Sequence, residues 1–109
     1  MAGEVVPKGK KQLTDADVQK KSIKLIVIYL RKKMDPKLSG MNYIEGWIDD
    51  MEELLEKEDF VRSEYIDMRK RLNEAIEMVF DKDMRSSLRN SWYSYGKALE
   101  KKAPKEPEN

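Results

Sequence analysis

The sequence predicts an all-α fold, an antiparallel bundle of three to four helices. The chain has 109 residues and four prolines, and Pro36 is the only proline between residues 14 and 102. Apolar residues recur at spacings of three and four along successive segments, which is the period of an amphipathic helix. The length leaves no room for a second core, and the hydrophobic fraction of 39% is lean but enough for one helical core.

The two ends of the chain differ in composition from the body. Residues 1–13 combine two Gly, one Pro and three Lys without a sustained period, and this composition favours a flexible basic arm. Residues 103–109 alternate Pro with charged residues, which is typical of a disordered tail. Residues 14–102 are therefore expected to form the single helical bundle domain.

The first helix is predicted to begin at a capping box formed by Thr14 and Asp17 and to end near Lys33, because Asp35-Pro36 cannot continue it. Lys24 is the only polar residue in the segment from Ile23 to Leu30. A buried strand would have a similar pattern, but no second strand is available to pair with it. A helix with apolar residues on most sides is either central in the bundle or buries a second face against a partner.

The second helix is expected after the Ser39-Gly40 turn, with Asn42 as its N-cap and Glu45 completing a capping box. The third is expected to begin near Asp59. The apolar stripes of these two helices consist of Met41, Ile44, Ile48, Met51 and Leu55, and of Val61, Tyr65, Met68, Leu72, Ala75 and Val79, with Trp47, Leu54, Ile66, Ile76 and Phe80 widening the faces. Residues 57–59 contain neither Gly nor Pro, so one continuous helix is an alternative. The molecule would then be extended, and a second copy would bury its apolar stripes.

The fourth helix is expected to follow Asp81. Its apolar stripe consists of Met84, Leu88, Trp92, Tyr95 and Leu99, at spacings of 4, 4, 3 and 4. The joints between the predicted helices are short, and short joints favour antiparallel neighbours.

The composition excludes several classes of function. Cysteine and histidine are both absent, which rules out disulfides, Cys/His zinc sites, thiol nucleophiles and imidazole acid–base catalysis. No motif indicates a metal, a cofactor or a small-molecule substrate, so we expect a protein that is not an enzyme. No uncharged run exceeds seven residues, so neither a membrane span nor a signal peptide is predicted, and a cytoplasmic location is expected.

Charge is distributed in blocks along the chain. Residues 1–40 have ten basic and four acidic side chains (+6), residues 41–84 have six and fourteen (−8), and residues 85–109 have six and three (+3). The acidic second helix could lie between basic neighbours within the bundle, or each block could face a different partner.

Large amphipathic side chains favour a function in protein binding. Trp47, Trp92, Tyr93 and Tyr95 are of the type that anchors interfaces, and Trp92 and Tyr93 point too far apart on a helix to share one small core. Ile28 raises the same difficulty on the first helix. The leading interpretation is a non-enzymatic accessory or adaptor subunit that forms a homodimer, docks to a larger complex, or does both.

Binding of nucleic acid is the alternative, because the arm and the first and fourth helices are basic. The helix after the Ser39-Gly40 turn is acidic, so docking as a helix-turn-helix motif is rejected. A virion or scaffold subunit that assembles in many copies is a further alternative. The candidate residues for nucleic-acid contact are Lys8, Lys10, Lys11, Lys20, Lys24, Arg31, Lys32, Arg85, Arg89 and Lys97.

Overall fold

A computed structural model describes residues 13–104 of the chain, and within that range it contains four α-helices and no strand. The helices are α1 (Asp15–Lys33), α2 (Met41–Glu56), α3 (Arg62–Glu77) and α4 (Lys82–Ala98). Each helix packs against the next, and α4 also packs against α1, so the four surround one core. Since the connections are only four to seven residues long, consecutive helices are antiparallel. The predicted all-α bundle is confirmed.

The predicted arm lies outside the described residues except for Leu13, and the predicted tail lies outside them from residue 105. Residues 101–103 lie against the beginning of α1. The Gln19 amide donates a hydrogen bond to the Lys101 carbonyl oxygen (2.9 Å), and the Ala103 N–H donates to the Asp15 carboxylate (2.7 Å). Ala103, which the sequence assigned to the tail, is therefore held by α1.

Two predicted helix starts are confirmed by their caps. In α1 the Thr14 hydroxyl accepts a hydrogen bond from the Asp17 N–H (3.1 Å), and the Asp17 carboxylate accepts one from the Thr14 N–H (3.0 Å). In α4 the Asp81 carboxylate accepts from the Met84 N–H (2.9 Å). Both arrangements satisfy backbone donors that the first turn of a helix leaves unpaired.

The helix α2 begins directly after the Ser39-Gly40 turn as expected, but the predicted N-cap is wrong. The N-cap is Gly40, with φ +87°, and Asn42 lies inside the helix without capping it. Gly40 is needed because a Cβ at this position would overlap the carbonyl oxygen of Met78 in the α3–α4 connection. The same two loops are joined by a hydrogen bond from the Phe80 N–H to the Ser39 carbonyl oxygen (3.1 Å). Contact between loops, rather than a side-chain cap, therefore sets where α2 begins.

The alternative of one continuous helix through residues 41–77 is also wrong, and so is the expected start of α3 near Asp59. Lys57 is extended (φ −70°, ψ 141°) and ends α2, while Val61 is the N-cap of α3. The Phe60 ring stacks on the Tyr65 ring, with centroids 4.5 Å apart. This packing gains apolar contact that a continuous helix would not allow, so a break occurs without Gly or Pro.

The predicted apolar stripes supply the core, with two exceptions at the ends of α3. Val61 is 45% exposed and Phe80 is 81% exposed. Val61 precedes the first helical residue, and Phe80 follows the last, so neither keeps the helical direction that the spacing implies. The fully buried positions include Ile44, Ile48 and Leu72.

The contrast between Gly40 and Gly46 gives a test of this fold. We expect Gly40→Ala to lower the free energy of unfolding by about 2 kcal/mol or more, through the left-handed backbone and the overlap with Met78. Gly46 lies within α2 with no atom near its missing Cβ, so Gly46→Ala should raise stability by about 0.5–1 kcal/mol. Urea denaturation followed by far-UV circular dichroism measures both; changes of the same sign would contradict this account.

Candidate partner-binding surface

Two of the predicted partner-binding residues, Trp47 and Tyr95, lie in the core. They are 2% and 0% exposed, and their ring centroids are 6.1 Å apart. The Trp47 indole N–H donates to the Met68 carbonyl oxygen (2.7 Å), and the Tyr95 hydroxyl donates to the Tyr65 carbonyl oxygen (2.7 Å). Burial raises the pKa of the Tyr95 phenol. The prediction that these two face a partner is corrected, because their polar atoms are satisfied inside the bundle and neither ring reaches the surface.

Trp92 is half-buried between α3 and α4, where it interacts with Arg69. The Trp92 indole N–H donates to the Arg69 carbonyl oxygen (3.1 Å), and the Arg69 Nε donates to the Trp92 carbonyl oxygen (3.2 Å). The guanidinium carbon of Arg69 lies 3.7 Å from the centroid of the Trp92 ring, a cation–π contact. Gly96 makes room for it, since a Cβ there would overlap the guanidinium group.

Tyr93 is 58% exposed, and its ring meets the edge of Trp92 with centroids 5.1 Å apart. The expectation that Trp92 and Tyr93 cannot both be deeply buried therefore agrees with their placement. Tyr93 lies beside Arg69 on the α3 side of α4, so it does not share a face with Ile28 on α1.

Ile28 belongs to an exposed apolar group on α1. Ile28 is 44% exposed, and its neighbours Leu25 and Tyr29 are 58% and 52% exposed. The core-facing side of α1 is formed by Ile23, Val27 and Leu30, which are buried. We call Leu25, Ile28 and Tyr29 the α1 apolar face. The helical phase of the buried residues places Leu25 on the opposite side of α1. Leu25 and Tyr29 are therefore candidate binding residues that the sequence-based prediction did not include.

An open groove of about 520 Å³ runs between α1 and α4 and includes part of this face. The α1 wall is mainly apolar, whereas the opposite wall, formed by α4 and the residues that follow it, has short polar side chains and two lysines. We call this feature the α1–α4 groove. The residues that line it include Leu25, Ile26, Tyr29, Ser94, Lys97 and Lys101. Lys33 lies 5.9 Å from the centroid of the Tyr29 ring at one end of the face.

Four of the predicted nucleic-acid contacts are used within the bundle. The Lys20 ammonium donates to the Lys57 carbonyl oxygen, and the Arg85 guanidinium donates to the Val79 and Phe80 carbonyl oxygens. Two further arginines form ion pairs between helices, and their contacts are Arg31 with Asp49 and Glu52 (2.8 Å each) and Arg89 with Glu77 (2.9 Å). The Arg31 guanidinium donates hydrogen bonds to the Glu52 and Asp49 carboxylates, and these bonds, first that to Glu52, raise the pKa of Arg31. These four side chains would have to exchange protein contacts for phosphate contacts.

Three other predicted contacts, Lys24, Lys32 and Lys97, are exposed, and none forms an ion pair with any residue in the range 13–104. The remaining three, Lys8, Lys10 and Lys11, lie outside the described residues. These three lysines of α1 and α4 are therefore free to reach an anion.

The charge blocks give the bundle one basic pair of helices and one acidic pair. The helix α1 has six basic and two acidic residues and α4 has four and one, a net of +7 for this pair. The helix α2 has six acidic residues and no basic one, and α3 has four of each sign, a net of −6. Arg31 of α1 pairs with Asp49 and Glu52 of α2, as expected if the blocks attract each other within the bundle. That each block faces a different partner stays a prediction.

No group of three or more acidic side chains in the described part of the chain is placed to hold a metal ion. Across residues 13–104, no helix has the length and apolar content that crossing a membrane requires. Ser91 and Ser94 line the groove, but among the described residues no hydrogen bond joins either hydroxyl to a basic side chain. This arrangement differs from that of an activated nucleophile.

Comparison of the chain with protein-family models, with curated proteins and with solved structures finds no match.

Trp92 and Tyr93 should respond differently to removal of the side chain. We expect Trp92→Ala to lower the free energy of unfolding by about 2–3 kcal/mol, because it removes a half-buried ring and leaves Arg69 without its cation–π partner. The exposed neighbour is the control, and Tyr93→Ala should cost about 1 kcal/mol or less. Urea denaturation measures both values. Equal losses would show that the Arg69–Trp92 contact contributes little.

Proposed function

We propose that this protein is a non-enzymatic accessory or adaptor subunit that binds another protein through the α1 apolar face and the α1–α4 groove. One observation carries the proposal, the exposure of Leu25, Ile28 and Tyr29 side by side on one helix. Single exposed apolar residues are common on protein surfaces, whereas adjacent large ones next to a groove are typical of interaction sites. Tyr29 is also of the residue type that contributes strongly to interfaces.

The shape of the site supports a macromolecular partner. The groove is open along its length, and a small molecule in it would keep much of its surface in water. Small-molecule sites are usually concave pockets that bury most of the ligand and fix it with converging polar groups. A protein element would cover the face and the groove together.

A symmetric homodimer through this face is less favoured than binding to a different protein. A two-fold axis at the α1 apolar face would bring Lys24 and Lys32, which flank Ile28 along the helix, close to the same lysines of the second copy. Like charges across an interface oppose association. The homodimer stays a prediction, and the proposal gives priority to a different partner.

Site-specific crosslinking tests the adaptor function. A photoreactive phenylalanine derivative at position 25 is compared with the same residue at Asn73, which is exposed on α3 away from α1. In an extract of the source organism, we expect a product of discrete mass from position 25 that also forms at about 1 M salt, where exposed charges are screened within about 3 Å. Tyr29→Ala should reduce its yield. The same products from both positions would contradict the proposal.

Nucleic-acid binding is the second candidate function, favoured by the unpaired lysines of α1 and α4. Fluorescence anisotropy with labelled single- and double-stranded DNA and RNA would be measured at about 0.05 and 0.2 M salt. If this candidate holds, replacing Lys24, Lys32 and Lys97 with alanine should lower the salt-dependence slope by about three, since each phosphate contact contributes about one.

Two controls accompany this measurement. Alanine replacements at Lys37, Lys57 and Lys70, which are exposed outside α1 and α4, remove the same number of charges and should change the slope less. Replacing Lys8, Lys10 and Lys11 tests the N-terminal arm separately. Absence of binding by the full-length protein at low salt would reject the nucleic-acid candidate.

A further inference from the structure

The backbone around the α1–α4 groove limits what can fill it. Both walls are α-helices, whose interior N–H and carbonyl groups are hydrogen-bonded within each helix. An extended peptide in this groove would find no sheet edge, so it would lose hydrogen bonds to water without gaining backbone partners. A helix satisfies its own backbone. From Asn90 to Ala98, where α4 ends, this wall is about 12 Å long at 1.5 Å per residue, which corresponds to about two turns of a docked helix.

The side chains of the groove require an apolar stripe on that helix. Leu25, Ile26 and Tyr29 form the α1 wall. Ser91 and Ser94 on the α4 wall have short side chains, which leave room for the side chains of a docked helix. A docked helix with apolar residues at spacings of three and four would place them against Leu25 and Tyr29. This is the helix-in-groove mode of recognition.

The charges around the groove require acidic residues beside that stripe. Lys97 and Lys101 belong to the groove, and Lys21 and Lys32 are exposed on the outer side of α1. None of these four lysines forms an ion pair with another residue of the described range 13–104. An acidic partner would gain attraction from all four, and a basic one would be repelled.

A second copy of this chain matches these requirements poorly. Its acidic helix α2 has its apolar residues Ile44, Ile48 and Met51 in the core, where they are 0% exposed. The folded protein therefore presents the charge of α2 without an apolar stripe. Nucleic acid would supply negative charge but would leave Leu25 and Ile28 without an apolar partner.

We propose that the α1–α4 groove binds an acidic amphipathic helix of another protein. This inference rests on the proposed adaptor function and deepens it by naming the chemistry of the partner: leucine-like side chains against Leu25 and Tyr29, and carboxylates against Lys97, Lys101 and the lysines of α1.

The probe is a fluorescein-labelled, 14-residue helical peptide with leucines at spacings of three and four and glutamates on its remaining faces. Two matched peptides carry lysine in place of glutamate, or serine in place of leucine. We expect the full-length protein to bind the acidic leucine peptide at least about tenfold more tightly than either control, by fluorescence anisotropy at about 0.15 M salt.

Variants of the protein locate the bound peptide. Leu25→Ser and the double variant Lys97→Glu/Lys101→Glu should each weaken binding by about tenfold. Their controls are Phe80→Ser and Lys70→Glu, which change exposed residues outside the groove and should leave the dissociation constant within about twofold. Thermal unfolding by circular dichroism verifies that each variant is folded.

The possible results separate this inference from the adaptor function. Equal binding of acidic and basic peptides, unchanged binding by the groove variants, or no binding of the acidic peptide would each overturn the acidic-helix inference. If crosslinking at position 25 still gives a specific product in those cases, the adaptor function stands with a partner of different chemistry. If sedimentation velocity shows that the protein self-associates and that Leu25→Ser abolishes it, the occupant is a second copy and the inference is wrong.

Discussion

The bundle depends on two buried aromatic side chains that donate hydrogen bonds to the backbone of α3. Trp47 from α2 and Tyr95 from α4 reach the carbonyl oxygens of Met68 and Tyr65, each at 2.7 Å. Carbonyls inside a helix can accept a second hydrogen bond, so both rings are buried without an unsatisfied donor. Helices that lie diagonally across the bundle are thereby joined through α3. The helix α1 has no part in these two hydrogen bonds, and Ile23, Val27 and Leu30 form the apolar part of its buried side, which leaves its outer apolar face exposed.

The interhelical ion pairs are also distributed unevenly among the pairs of neighbouring helices. Arginines join α1 to α2, α3 to α2 and α4 to α3, through Arg31, Arg71 and Arg89. Within residues 13–104, no ion pair joins α1 to α4. These exposed pairs contribute about 0–1 kcal/mol each, so they adjust packing rather than drive folding. Their larger effect is on the surface, because they neutralise part of the acidic charge of α2 while the lysines at the α1–α4 groove remain free to attract a partner.

The sequence predicts the fold class and most of the core, because side-chain spacing and caps such as Thr14 and Asp81 are local properties. It does not predict that Gly40 is the N-cap of α2 or that α3 begins only at Arg62. The first depends on Gly40 lying against the Met78 carbonyl group, and the second on Phe60 stacking on Tyr65; both contacts join residues from different elements. The same limit applies to the candidate site. Large aromatic residues suit a core and an interface equally, and only the packed bundle separates Trp47 from Tyr29.

Because the α1 apolar face is exposed, substitutions in it should affect binding of a partner much more than folding of the free protein. Leu25 is 58% exposed, so its replacement removes little buried area and should barely change the stability of the free protein. A partner that covers it binds only the folded bundle and therefore stabilises the fold by mass action. The effect of a Leu25 substitution on unfolding should then depend on whether the partner is present, whereas a core substitution lowers stability in both cases. The dependence of stability on the partner therefore distinguishes an apolar residue that serves binding from one that serves packing. Sequence spacing does not distinguish them, because both kinds recur at helical spacing.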